Sequence, residues 1–134
     1  MSTNSRIGIE LKDGSILSAY HHWDGYPEWL GKTLNEHFTT RDDVAELIDG
    51  GDMSCCWTDD SFRNKDGVIV KKEQFGPQYY SERGEDCPPM LSNNLIEYLQ
   101  DSEEYSYIFN SFGEWICYRH DWDTEKAVLT EIPA

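Results

Sequence analysis

The sequence predicts an α+β domain, a mainly antiparallel sheet built from hairpins with about three helices packed on one face of it. Three observations carry that prediction. Period-two apolar alternation brackets turn signals near both ends of the chain; three separate segments space their apolar residues three and four apart, as one face of a helix does; and no β-α-β unit repeats along the chain, which argues against a parallel sheet. At 134 residues the chain is the length of one domain, and residues 1–134 are expected to form a single one.

The elements follow in order. Ile7, Ile9 and Leu11 alternate, Lys12-Asp13-Gly14 is a turn signal, and Ser15 to Trp23 is a second extended run, which together predict a β-hairpin. Pro27 suits a first helical turn, where its missing N–H costs nothing. Leu30, Leu34, His37 and Phe38 follow at helical spacing, predicting a helix over 28–38. A second helix is predicted over 41–49. Thr40 and Asp43 resemble a capping box, Val44, Leu47 and Ile48 form the apolar stripe, and Gly50-Gly51 supplies a left-handed stop. Residues 59–65 are polar and predict a loop. Val68-Ile69-Val70 predicts a strand running towards Gln74 and interrupted by Gly76-Pro77. Residues 78–89 predict an extended segment entering a loop closed by Pro88-Pro89. Leu91, Leu95, Tyr98 and Leu99 are spaced as a helix ending near Gln100, with Ser92 placed as its cap. Residues 105–110 and 114–120 around Ser111-Phe112-Gly113 predict a second hairpin with Tyr105, Tyr107 and Phe109 on one face, and 127–132 adds a final strand.

Composition narrows the function. A 38% hydrophobic and 13% aromatic content is that of a folding chain rather than a disordered one. The opening MSTNSRIGIELKDG has no apolar run of signal-peptide length, and no stretch approaches the ~18 apolar residues of a membrane span. The expectation is a soluble, cytoplasmic protein with no membrane partner. Net charge is −15, from 26 acids against 11 Lys and Arg, a field that repels phosphates and excludes nucleic acid as a direct partner. The segment 97–125 alone holds eight acids (Glu97, Asp101, Glu103, Glu104, Glu114, Asp121, Asp123 and Glu125) against Arg119. Such a surface serves solubility, salt adaptation, or mimicry of the DNA backbone in the groove of a basic protein. Arg63, Lys65, Lys71 and Lys72 form a locally basic stretch, but Asp66 and Glu73 dilute it. Cys55, Cys56, Cys87 and Cys117 lack paired C-x-x-C spacing, so free thiols in a reducing compartment are expected, with no zinc.

The chemistry-bearing residues concentrate in AYHHWDGYP, residues 19–27. Alternation splits His21 from His22 across the two faces of a strand, so the two cannot chelate one ion side by side. His22, Asp24 and Glu28 are the tighter set, suited either to a divalent metal or to a base with its orienter. The competing structural account is an Asp-Gly turn, carboxylates at a helix start, and a histidine bonded across the sheet. In YSERGE, Arg83 stands beside Glu82 and Glu85, available to clamp an anion or to be neutralised by its neighbours. No G-x-G-x-x-G, P-loop, nucleophile elbow or H-E-x-x-H is present, and Cys55-Cys56-Trp57 has no base beside it in sequence. The candidate ligand- or partner-binding residues are therefore Tyr20, His22, Asp24, Tyr26, Glu28, Arg83 and Glu85. No catalytic residue, metal ligand or cofactor is assigned.

Taken together, YHHWDGYPEWLGKTL, VAELIDGGDMS, YSERGED and EYSYIFNSFGEW resemble a family of small uncharacterised proteins encoded by tailed bacteriophages, including T4-like phages of marine cyanobacteria. The family pattern, Tyr-x-His-x-Asp-Gly-Tyr-Pro and its later motifs, falls on Tyr20, His22, Asp24, Gly25, Tyr26, Pro27, Gly31, Leu34, Gly51, Asp52, Ser54, Arg83, Gly84, Glu85, Tyr105, Tyr107 and Trp115. The resemblance implies a phage accessory protein acting in the host cytoplasm during infection, and it supplies no catalytic residue. With the charge, it points to a non-enzymatic protein that binds a basic host or phage protein. A small-ligand binder or sponge for nucleotide-like molecules is the alternative, and a metal-assisted hydrolase on His22, Asp24 and Glu28 is the third reading.

Overall fold

The computed structural model describes residues 3–100 and 103–134; Asp101 of the acidic segment lies outside them. The first hairpin pairs β1 (Ser5–Glu10) with β2 (Ile16–His21), antiparallel from Ser5↔His21 to Glu10↔Ile16. Asp13 sets the turn by accepting the Ser15 N–H at 3.0 Å. The helical stretch after Pro27 divides: Pro27–Gly31 forms a wide π turn, and α1 covers only Lys32–His37. Then α2 runs over Arg41–Asp49, and Thr40 Oγ1 accepts the Asp43 N–H at 3.1 Å, the cap its sequence predicts. Gly51 ends this stretch in the left-handed region at φ 85°.

Next come β3 (Met53–Thr58), β4 (Phe62–Arg63), β5 (Ile69–Val70) and β6 (Gly76–Tyr79), a 3-10 turn at Tyr80–Arg83, and β7 (Met90–Ser92). The last elements are α3 (Leu95–Gln100), β8 (Tyr105–Phe109), β9 (Trp115–Asp121) and β10 (Lys126–Thr130). One sheet has the order β10-β9-β8-β1-β2-β3-β6, with β7 also on β2, while β4 and β5 form a separate ribbon. The β1–β8 and β2–β3 pairs are parallel, and the others are antiparallel. The α+β class and the mainly antiparallel sheet are therefore as the sequence predicts.

Five local expectations are corrected. Strand β3 was not predicted, because MSCCWT neither alternates nor is rich in β-branched residues; it forms through pairing on both sides, with β2 and β6. The polar stretch 59–65 contains β4, whose partner is the short β5. Gly76-Pro77 opens β6 instead of interrupting a strand, which proline tolerates because β6 is an edge. The third helix starts one turn late: Leu91 and Ser92 belong to β7, and Asn94 Oδ1, not Ser92, accepts the Glu97 N–H at 2.8 Å. Finally, the helices do not share one face.

The main core lies where the π turn, α1 and α2 cover the sheet. Leu30, Leu34, Val44, Leu47 and Ile48 meet Ile7, Ile9, Ala19, Tyr107 and Phe109, with Tyr105 packed against them at its edge. On the opposite face α3 lays the fully buried Tyr98 against Ile16 and Ile108. Its ring fits because β1 carries glycine beneath it: a Cβ on Gly8 would meet Tyr98 at 3.2 Å and Ile16 at 2.8 Å. The Tyr98 hydroxyl donates to the Tyr107 carbonyl at 2.9 Å. No helix among the described residues is long and apolar enough to cross a membrane.

Candidate functional site

Strand β2 shares its outer edge between two neighbours. β7 pairs with it antiparallel at Ile16–Ser18, and β3 joins parallel only from His21. The gap leaves the Tyr20 N–H without a strand partner, and Asp52 Oδ1 accepts it at 2.9 Å. Beyond the gap, the His22 and Trp23 N–H groups donate to the Met53 and Ser54 carbonyls, which fixes the AYHHWDGYP stretch against β3.

Tyr20 and His22 share one face, and the Tyr20 hydroxyl lies 2.7 Å from His22 Nδ1. Burial, then the charges of Glu103, Tyr80 and Asp52, push the Tyr20 phenol up to about 12. It therefore stays protonated, and the direction of its bond to His22 Nδ1 follows the imidazole tautomer. Arg83 stands near this cluster from the 3-10 turn. Its guanidinium carbon is 5.5 Å from the Tyr80 ring centre, and Nη2 donates to Gln78 Oε1 at 2.5 Å. The Glu85 N–H donates to the Tyr80 carbonyl, and the Tyr80 phenol is raised by burial, then lowered by Arg83 and raised again by Glu85 and Asp52. Tyr20, His22, Arg83 and Glu85 thus gather around Asp52 and Tyr80, two residues that sequence reasoning did not place in the site.

Asp24, Tyr26 and Glu28 go elsewhere. Asp24 occupies the left-handed region at φ 54°, which aspartate tolerates better than most residues. Gly25 is pressed so closely onto β1 that a Cβ would meet Ser5 at 2.6 Å, and its carbonyl accepts the Tyr107 hydroxyl at 2.7 Å. Tyr26 is extended, and its carbonyl accepts the Trp29 and Leu30 N–H groups. The Glu28 carboxylate acts on Tyr105, Tyr107 and Cys117 of β8 and β9, whereas Asp24 acts on Cys55 of β3. His22, Asp24 and Glu28 do not converge, and among the described residues no group of three His, Cys, Asp or Glu is placed to hold a metal ion.

His21 is fully buried on the other face, where Nε2 accepts the Cys56 N–H at 3.0 Å. Burial, then the charge of His22, lowers it to about 3, so it is neutral, and its buried Nδ1–H has no partner among the described residues. The four cysteines are free. Burial raises the Cys55 and Cys56 thiols, and lifts Cys117 to about 12, so none of these three is a ready thiolate nucleophile.

A cavity of about 310 Å³ opens where the end of β2, the π turn and β3 meet, lined by Trp23, Asp24, Trp29, Cys55, Trp57, Thr58 and Asp60. Of these, only Asp24 is among the sequence-predicted site residues. The others come from segments that no local spacing joins; the count of five tryptophans in the chain was the available signal. Trp57 is held by stacking on His37, ring centres 3.8 Å apart, and on Phe75. A second cavity of about 340 Å³ between the helices and β6, lined by His37, Asp43, Glu46 and Tyr79 among others, contains none of the predicted residues.

No protein-family model matches the chain, and neither does any curated protein or solved structure.

Proposed function

We propose that this chain is a phage accessory protein that binds a basic host or phage protein in the cytoplasm of the infected cell and performs no catalysis. The observation that carries this reading is a surplus of unpaired carboxylates. Against 26 acids, the ion pairs within 4 Å among the described residues are His37–Glu36 and His120–Glu125, neither involving lysine or arginine. Charges not satisfied within the fold remain free to steer and hold a cationic partner. A salt-sensitive complex follows, because exposed pairs are screened beyond the ~8 Å Debye length of physiological ionic strength. Pull-down from infected-cell lysate at low and moderate salt tests it. Recovery of a basic protein that is lost as salt rises is the expected result, and recovery of none overturns the reading.

The cluster of Tyr20, His22, Tyr80 and Arg83 supports a second reading, a binder of nucleotide-like ligands, since aromatic rings beside a guanidinium suit a base and its phosphate. A thermal-shift screen with nucleotides and cyclic dinucleotides tests it, and flat melting temperatures at saturating ligand end it. A hydrolase on His22, Asp24 and Glu28 draws no support from side chains that diverge.

A further inference from the structure

We propose that the cavity between the end of β2, the π turn and β3 binds a weakly hydrated organic cation, a methylated ammonium or a guanidinium head group, between the indoles of Trp23 and Trp29. Asp24 and Asp60 supply the opposing charge. The inference rests on the binding reading above and names the chemistry its partner must present.

The walls have the composition such a cation needs. Indole faces attract cations more strongly than other aromatic rings, and more so once water is displaced. Trp23 and Trp29 each have a single aromatic neighbour among the described residues: His22 meets Trp23 edge-on at 4.7 Å, and His21 is tilted 39° from Trp29 at 6.3 Å. Each indole therefore keeps a face clear of ring stacking. Trp57, pinned by His37 and Phe75, closes the cavity as a wall.

Asp24 and Asp60 line this space from separate segments. Both bear on the Cys55 thiol at its margin, each raising it in addition to the effect of burial. Trp23 is 49% exposed, an indole left half in water beside two acids. The volume of about 310 Å³ is at the small end for ligand pockets and suits one head group with part of its alkyl stem. A lysine ammonium fits less well, because it is more strongly hydrated than a guanidinium.

Titration of the full chain with tetramethylammonium, arginine amide and lysine amide, followed by tryptophan fluorescence and calorimetry, tests the proposal. One of the first two should bind at least about tenfold tighter than lysine amide. Trp23→Ala should weaken that binding about tenfold, and Asp60→Asn should weaken it and flatten its salt dependence. Trp23 and Asp60 are exposed, so both variants should keep the wild-type circular dichroism spectrum and melting temperature. Binding that fails to saturate, that ranks the three cations equally, or that survives both substitutions overturns the pocket. Salt-sensitive capture of a basic protein without head-group binding would remove this inference and leave the functional reading standing. Head-group binding without such capture would do the reverse. A head group that binds free but not within a basic peptide would assign the pocket to a free small cation.

Discussion

The carboxylate of Asp52 accepts the backbone N–H of Tyr20 at 2.9 Å, and so closes the one break along the outer edge of β2. An amide at the parting of two neighbouring strands has no ladder partner, and leaving it unsatisfied costs about 1–3 kcal/mol. Asp52→Ala should destabilise by about 2 kcal/mol, read from urea unfolding, and Asp52→Asn, which keeps an acceptor oxygen, should recover most of it. Equal losses for the two variants would show that the bond to Tyr20 is not what Asp52 contributes.

Stability should fall as pH falls below about 6.5, and His21 should carry part of that fall. Burial holds the folded imidazole near 3, while the unfolded chain takes up a proton near 6.5. Between those values the unfolded state binds the extra proton. The contribution is complete above about 6.5 and is lost as pH drops towards 3, by at most about 1.4 kcal/mol per pH unit. His21→Gln, whose side-chain oxygen replaces Nε2 as acceptor for the Cys56 N–H, should flatten the profile between about pH 7 and pH 5. Parallel profiles for the two proteins would refute the assignment.

Docking of α3 depends on the space above Gly8. Gly8→Ala forces its Cβ into Ile16 and Tyr98 and should cost about 1–3 kcal/mol. Tyr98→Phe removes the bond to the Tyr107 carbonyl and should cost about 1 kcal/mol. Because both act on the same contact, amide exchange should speed up in α3 well before it does in α2.

Thiol alkylation should follow burial. Cys55 and Cys87 are half-buried, whereas Cys56 and Cys117 are buried. Iodoacetamide near pH 8 should therefore label Cys87 first and Cys55 more slowly, because burial, Asp24 and Asp60 raise the Cys55 thiol, and should leave Cys56 and Cys117 until the protein unfolds, as followed by mass spectrometry. Labelling of Cys56 in the folded protein would contradict its place in the core.

The elements most legible in the sequence are those whose signals are local. The first hairpin, α2 with its Thr40 cap, and the final hairpin each carry their own periodicity and turn residues. Strand β3 and the short β4 were not legible, because their partners, not their own residues, make them extended, whereas β5 lies within the strand that Val68-Ile69-Val70 predicts. The site was read in part. Alternation placed Tyr20 and His22 on one face and His21 on the other, and Asp24-Gly25 was recognised as turn chemistry. Proximity in sequence grouped Asp24 and Glu28 with His22, yet the left-handed Asp24 and the π turn send those carboxylates to different strands.

The first and last hairpins and the Thr40 cap of α2 are determined by neighbours a few residues apart, and the amino-acid sequence by itself determined them here, as composition determined the net charge. Only the tertiary structure decided that Asp52 and Tyr80 stand beside Tyr20, that α3 covers the face opposite α1 and α2, and that Trp23, Trp29, Trp57 and Asp60 share one cavity. For the site and the cavity the physical reason is the parallel join of β2 to β3. It registers residues more than thirty positions apart, and its strength comes from backbone hydrogen bonds, which nearly every residue type can make.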